Sequence, residues 1–367
     1  MPEDRLETSS VIADYERWLG HQIPLVVADV EAKHRAMAGS ALRFLRGTYF
    51  LWLDRVASLL PDTLEQPAVP CVGDLHVENF GTWRDHRDVR RWGVNDLDEL
   101  GWGSWQLDLL RLATSAAITP KVALTTPQIC ATLLDVWLSV KPGSALRVDA
   151  SGAAHLRALL PKASSDKKFY AALSSGARVD AATLPREVRA ATRSSVPEHW
   201  SPTWHVRVAG TGSLGHRRLV AVGDGESGTT YAREVKLLGP SDAAWAHLRW
   251  SDGPPLPARD EILYGRVGVA TRGAAPMRRV DGWQVRRLAP DVQRIDLAGL
   301  GTRASTRLLR SMAQASLDVH GTDHRALSRA RAAARRLPDT WLQRATETMA
   351  GDTMRSFEDY ADSTRGK

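Results

Sequence analysis

The chain has 367 residues, 43% hydrophobic and 25% charged, with a net charge of +7. That length exceeds one small core and suits two lobes, and the composition excludes fibrous and disordered classes. Cys71 and Cys130 are the only cysteines and form no CxxC pair, which excludes a disulfide framework and a thiolate zinc site. A reducing cytoplasm fits this usage. The first ten residues, MPEDRLETSS, lack the apolar h-region of a secretory signal, and no apolar run approaches the roughly 20 residues of a membrane span. A cytoplasmic protein with no membrane partner is expected.

The predicted elements begin with a helix over 28–60, carrying Ala36, Leu42, Leu45, Tyr49 and Leu53 at helical spacing. An extended stretch, Ala68 to Val72, leads into the polar loop Gly73–Asn79. A strand over Arg91–Val94 runs into Asp96-Leu97-Asp98-Glu99, and helices follow over Trp105–Ile118 and 127–140. Residues 141–200 give a weak pattern, with an exposed loop expected over 161–168. From about residue 203 the chain alternates as β-strands through Leu238, with a hairpin turn at Gly223–Asp224–Gly225. A second hairpin pairs Ala275–Val280 with Trp283–Leu288 about Asp281–Gly282. Residues 299 onward read as helices broken near Gly321 and Pro338, and no internal repeat interrupts the plan.

The loop Gly73-Asp74-Leu75-His76-Val77-Glu78-Asn79 and the following Asp96 and Asp98 supply the parts that phosphoryl transfer requires. One carboxylate accepts the proton of an attacking hydroxyl, and an amide oxygen with a second carboxylate holds Mg²⁺ on the phosphates. Asp74 and Asn79 are five apart, the spacing between the base and the metal-binding Asn of a kinase catalytic loop. Asp74 and His76 are the candidate catalytic residues, and Asn79, Asp96 and Asp98 the candidate metal ligands. Asp, His and Asn are also turn formers, and it is Asp96 and Asp98 that tip the balance towards function. A zinc set of His76, Glu78, Asp96 and Asp98 is the competing reading, but an oxygen-rich set with one imidazole suits Mg²⁺ better.

GDLHVENFG resembles the HGDxHxxN catalytic loop of aminoglycoside phosphotransferases and choline kinases, and NDLDEL with GSWQLDLLRLA resembles their IDFDDA and YDLA segments. VGDLHVENFGTW, NDLDE, LDLLRLATS and the upstream FLRGTYF are more similar still to a bacterial family known as domain of unknown function 2252. That resemblance extends over most of the chain. The likeness to the phosphotransferases and choline kinases implies an α+β, two-lobed protein-kinase-like fold using ATP and Mg²⁺. It also implies that Asp108 braces the catalytic loop by accepting backbone N–H groups near Gly73–His76. The chain departs from the small-molecule kinases at Val72, where their loop carries histidine.

Downstream, Gly210-Thr211-Gly212-Ser213-Leu214-Gly215 is a GxGxxG between two strands. That context disfavours a dinucleotide site and suits a loop covering ATP phosphates, with Gly210, Gly212, Ser213 and Gly215 as cofactor-binding candidates. Lys236 lies on the next strand, as a phosphate-binding lysine should, sharing a face with Glu234. Glu261 is its candidate carboxylate partner. Strand Trp283–Leu288 resembles the last β-strand before a hinge. The basic helix Arg325–Arg336 reads as a solvated face.

Here the Gly-rich loop and Lys follow the catalytic loop, the reverse of the usual kinase order. The expected fold is therefore a circular permutation, with helix Leu308–His320 packing just before the catalytic loop in space. Residues 1–200 would form the helical lobe with the catalytic and metal loops, 201–290 the β-lobe, and 291–367 helices completing the helical lobe. The expected function is ATP- and Mg²⁺-dependent phosphotransfer to a hydroxyl of a small molecule or protein. AMP transfer on the same fold and a nucleotide-binding pseudokinase regulator are the alternatives. The basic charge reads first as the Arg- and Ala-rich composition of a GC-rich genome and second as a phosphorylated ligand, and nucleic acid is disfavoured for want of an aromatic basic stripe. Trp83, Trp92, Trp102 and Trp105 read as core or pocket wall.

Overall fold

The computed structural model describes residues 7–85, 87–209, 214–250, 256, 259–272, 277–295, 297 and 299–365. The chain begins with four helices, α1 (Thr8–Gln22), α2 (Val27–Ala38), α3 (Ala41–Gly47) and α4 (Tyr49–Leu59). Four strands follow, β1 (Ala68–Cys71), β2 (Phe80–Arg84), β3 (Arg90–Val94) and β4 (Gly101–Ser104). Next come α5 (Trp105–Ala117), α6 (Thr126–Ser139), β5 (Leu146–Arg147), α7 (Ala154–Arg157), α8 (Asp166–Leu173), β6 (Arg178–Val179) and α9 (Arg186–Ser194). Strands β7 (Thr203–Val206), β8 (Arg218–Asp224) and β9 (Thr230–Leu237) precede α10 (Asp242–Arg249) and α11 (Glu261–Arg272). The chain closes with β10 (Met277–Val280), β11 (Trp283–Leu288), α12 (Thr302–His320), α13 (His324–Ala334) and α14 (Trp341–Arg365). The fold is mixed α+β. Among the described residues no helix is long and apolar enough to cross a membrane.

The helix expected over 28–60 is three helices. It breaks at Gly39–Ser40 and again at Thr48, whose hydroxyl donates to the Phe44 carbonyl instead of facing solvent. Helix α4 is buried from Tyr49 to Ala57 and α5 from Trp105 to Ala116, so both lie at the centre of the helical body. Helix α5 starts where Ser104 Oγ caps Gln106 N–H. Its first residue, Trp105, stacks on Trp137 of α6 at 4.5 Å and meets Trp341 edge-on. Burying such a side chain contributes at least about 2 kcal/mol. Helices α6, α12 and α14 pack around this centre.

Six antiparallel strands form the large sheet in the order β10-β11-β9-β8-β7-β6. The turn between β8 and β9 lies two residues later than expected. Pairing continues to Asp224↔Thr230, and Gly228 at φ +78° closes the turn. The second hairpin falls on Asp281 and Gly282, both at positive φ as a type I′ turn requires. One sheet face packs on α9 through Val188, Trp200, Trp204, Val235 and Val285. The other faces a cleft, with Phe169, Tyr170 and Leu173 of α8 against Val220, Val222, Ala232 and Leu288. Residues 166–194 thus pack on the sheet, not with the helical portion expected for 1–200, and α10 packs back on α4. Two smaller sheets, β1-β4 and β2-β3-β5, carry the loops around Asp74 and Asp96.

Candidate active site

Side chains in Gly73–Asn79 alternate. Leu75 and Val77 are buried in the helical core, while Asp74, His76 and Glu78 line a cleft. Gly73 has φ +93°, and a Cβ there would lie 2.6 Å from both Cβ and the carbonyl oxygen of Glu99. The Asp74 loop and the Asp96–Glu99 loop therefore meet over a position only glycine fits.

Asp108 holds the loop from below. Its fully buried carboxylate accepts the N–H of Val72 at 2.7 Å and of Gly73 at 3.0 Å, and His320 Nε2 donates to it at 2.9 Å. Trp137 Nε1–H occupies His320 Nδ1, which fixes the ring proton on Nε2. The last residue of α12 thus meets the carboxylate beneath the Gly73–Asn79 loop. Cys71 lies beside this pair, and the three side chains bring one ligand atom each within 4.8 Å of one another. They form a closed hydrogen-bonded brace and do not suit a metal. Cys71 Sγ–H donates to the Gly103 carbonyl, burial pushes the thiol pKa well up, and the Asp108 oxygens are engaged.

Asp74 Oδ1 takes both Nε and Nη2 of Arg111, at 2.9 and 2.5 Å. The Arg111 guanidinium is wholly buried, lying over the rings of Tyr49 and Trp52. Burial raises the Asp74 pKa against the pull of Arg111. Oδ2 remains towards the cleft, 3.9 Å from His76 Nε2. Burial, with Arg46 and Arg111 nearby, holds His76 well below its ordinary pKa, so the ring is neutral. Glu78 N–H donates to His76 Nδ1 at 3.1 Å, leaving the proton on Nε2. Glu78 itself pairs with Arg46 and with Lys121.

Asn79 buckles the two loops together. Its Nδ2 donates to the carbonyls of Asp74 and Asp96, at 3.0 and 3.2 Å, and its Oδ1 accepts Asp96 N–H at 2.9 Å. Asp96 Oδ1 accepts Asp98 N–H at 3.1 Å, and its Oδ2 has no hydrogen-bond partner among the described residues. Asp98 receives Lys236 on Oδ2 and Gln284 Nε2 on Oδ1, the latter at 2.6 Å. The Lys236 and Asp96 neighbours hold Asp98 ionised against its burial. Of the three expected metal ligands, then, Asp96 alone has a carboxylate oxygen free, while Asn79 and Asp98 tie loops and strands together.

Lys236 is buried on the cleft side of β9, and Glu234 shares its face as alternation requires. Its partner is Asp98. Glu261 is exposed in the first turn of α11, pairs with Arg279 and lines a different surface hollow. The assignment of Glu261 to Lys236 is therefore corrected. Gly210, Gly212 and Ser213 lie outside the described residues. Gly215, at φ +99°, is buried with its neighbour Leu214 on the cleft, and its carbonyl accepts Val26 N–H.

Residues 25–138 match the model of DUF2252, described as an uncharacterized protein conserved in bacteria. The DUF2252 segment holds Arg46, Asp74, Asn79, Asp96, Asp98, Asp108 and Arg111, whereas Lys236, Gln284 and His320 lie beyond it. None of the curated proteins and none of the solved structures matches the chain.

Several cleft residues escaped the sequence reading. Arg46 of FLRG and Arg111 of LDLLRLA sat inside the quoted motifs, but nothing in the spacing says that each grips a carboxylate of the loop. Arg259 donates to the carbonyls of Asp98 and Gly239 and to Glu99 Oε1, a convergence that only the folded chain discloses. Asp242, at the start of α10, gives its N–H to Glu99 and takes the hydroxyl of Tyr15.

Proposed function

We propose that the protein is an ATP- and Mg²⁺-dependent phosphotransferase with a circularly permuted, two-lobed kinase-like fold, acting on a hydroxyl of a small molecule or protein. One observation carries the reading. Residues far apart in sequence converge on one cleft, with Lys236 of β9 bound to Asp98, and both lining the cleft with Asp74 and Asp96. Permutation is supported by α12, whose terminal His320 meets Asp108 directly beneath the Asp74 loop, and by the position of Lys236 on β9, inside its sheet and downstream of Gly215 in the chain.

In this reading Asp74 Oδ2 takes the proton of the acceptor hydroxyl. Arg111 on the other oxygen fixes the carboxylate, and burial makes it a better base than a solvated aspartate. Lys236 offsets phosphate charge, and the neutral Nε2–H of His76 points towards the same place. Asp96, with its free oxygen, would hold Mg²⁺, while Asn79 and Asp98, whose side-chain oxygens are engaged, would position it. An oxygen-only donor set with one or two carboxylates fits a Mg²⁺ that keeps phosphate and water ligands. The bound ion would neutralise charge on the transferred group.

Incubation with ATP and Mg²⁺, followed by mass analysis of the protein and of metabolite extracts, tests the proposal. A phosphate adduct supports it. An AMP adduct would reassign the chemistry to nucleotidyl transfer, and the absence of any Asp96-dependent adduct would remove the enzyme reading.

A further inference from the structure

Beyond Asp96 and Lys236 the cleft opens into a second cavity beneath the large sheet. Strand register puts Arg218, Glu234, Lys236, Gln284 and Arg286 on its roof, since Arg218↔Lys236↔Gln284 and Glu234↔Arg286 are paired neighbours. Glu234 is 1% exposed and receives three arginines. Arg218 Nη1 and Arg286 Nε each stand 2.6 Å away, and Arg207 Nε stands 2.7 Å away. Arg294 completes the wall, and its guanidinium has no ion pair among the described residues.

The charges do not balance. Five cations line the cavity, and Asp96 is the one carboxylate lining it. Glu234 and Asp98, behind Arg218 and Lys236, offset one charge each, and the Asp29 carboxylate acts on Arg218 as well, yet among the described residues these cations still outnumber those carboxylates. A structural salt-bridge network needs no such excess, because like charges this close repel. An anion relieves the repulsion, and planar guanidiniums from different strands suit a ligand with several oxygens on linked centres. Apolar side chains, Phe169, Leu288 and Val292 among them, line the side of the cavity next to α8.

We propose that this arginine pocket binds a pyrophosphate group, two linked phosphates, belonging to the ligand that reacts at Asp96. The anion site stands on its own geometry, and only its link to the reacting ligand rests on the function proposed above. The phosphates would come from ATP itself or from a phosphorylated acceptor.

Calorimetry with inorganic pyrophosphate in EDTA tests the pocket apart from metal and nucleotide. Wild type should bind pyrophosphate more tightly than inorganic phosphate. Arg286→Ala and Arg294→Ala should each weaken it by at least about tenfold, the loss of one charge-assisted contact. Arg294 makes no ion pair among the described residues, so R294A should fold as wild type even if R286A does not. In a competition arm, displacement of ATP by pyrophosphate assigns the phosphates to the nucleotide, and simultaneous binding assigns them to the acceptor. No pyrophosphate binding at millimolar concentration, equal affinity for phosphate, or indifference to R294A in the folded protein would overturn the proposal. A protein that binds pyrophosphate but transfers nothing from ATP would keep the pocket and lose the phosphotransferase.

Discussion

Lys236 and Asp98 are 138 residues apart in sequence and form a buried ion pair across the cleft. Lys236 is 4% exposed, so this lysine is a packed member of the interior and not a loose pocket side chain. Gln284 fills the other Asp98 oxygen, and the Arg259 Nε–H donates to the Asp98 carbonyl. The pair therefore joins the sheet to the Asp96 loop.

It follows that Lys236→Ala does more than remove a ligand-binding charge. It leaves Asp98 ionised and buried, which costs about 3 kcal/mol or more. Urea unfolding should show that loss, and adding Asp98→Asn in the same chain should recover part of it. A K236A protein as stable as wild type would mean that water reaches Asp98 and that the two halves are held otherwise.

Asp108 accepts two backbone N–H groups and His320, all in the core. Asp108→Asn keeps the shape but sets an amide donor against donors. A loss of about 3 kcal/mol is expected, with the Asp74 loop freed from β1. Hydrogen exchange at Val72 and Gly73 should accelerate more than exchange in α9, which packs on the far sheet face. Uniform acceleration would show a general loss of stability and no local brace.

Burial, then the charges of Asp242 and Asp98, push the Glu99 pKa from 4.5 up to about 8. A carboxyl whose folded pKa is raised favours the fold below its unfolded pKa, and that contribution is lost as pH rises towards the folded value. Between pH 4.5 and 8 the unfolded chain releases this proton and the folded chain retains it, so stability falls through that window. Glu99→Gln removes the titration. Its melting temperature relative to wild type should rise from pH 4.5 to pH 8 by at least about 3 °C. A constant difference across the range would place an ionised Glu99 in the native site, held by Arg259.

Much of this was legible in local sequence. The Asp74 loop, the helix beginning at Trp105, the Asp281–Gly282 hairpin and the three C-terminal helices each carry a short-range signal, whether turn chemistry, capping or helical spacing. The face of Lys236 followed from alternation, and Asp108 was placed beneath Gly73 through the resemblance. Partners were another matter. Asp98 outcompeted Glu261 for Lys236 because the chain's return from β9 through Arg259 brings the Asp96 loop under the sheet, a tertiary event with no local mark. The three-arginine ring on Glu234 was equally hidden, since Arg207, Arg218 and Arg286 sit on different segments and meet only through strand register. Short strands such as β2 and β4, rich in Gly and Trp, lacked the β-branched alternation that would have revealed them.

The central claim is that Asp96 and Lys236 build a site for Mg²⁺ and ATP. Titration of ATP into wild type, D96N and D74N, each with Mg²⁺ and with EDTA, tests it most directly. The account predicts one Mg²⁺-dependent site per chain, weakened at least about tenfold by D96N and largely spared by D74N, whose loss should fall on turnover. ATP binding that is absent, or that is unchanged by both EDTA and D96N, would contradict it.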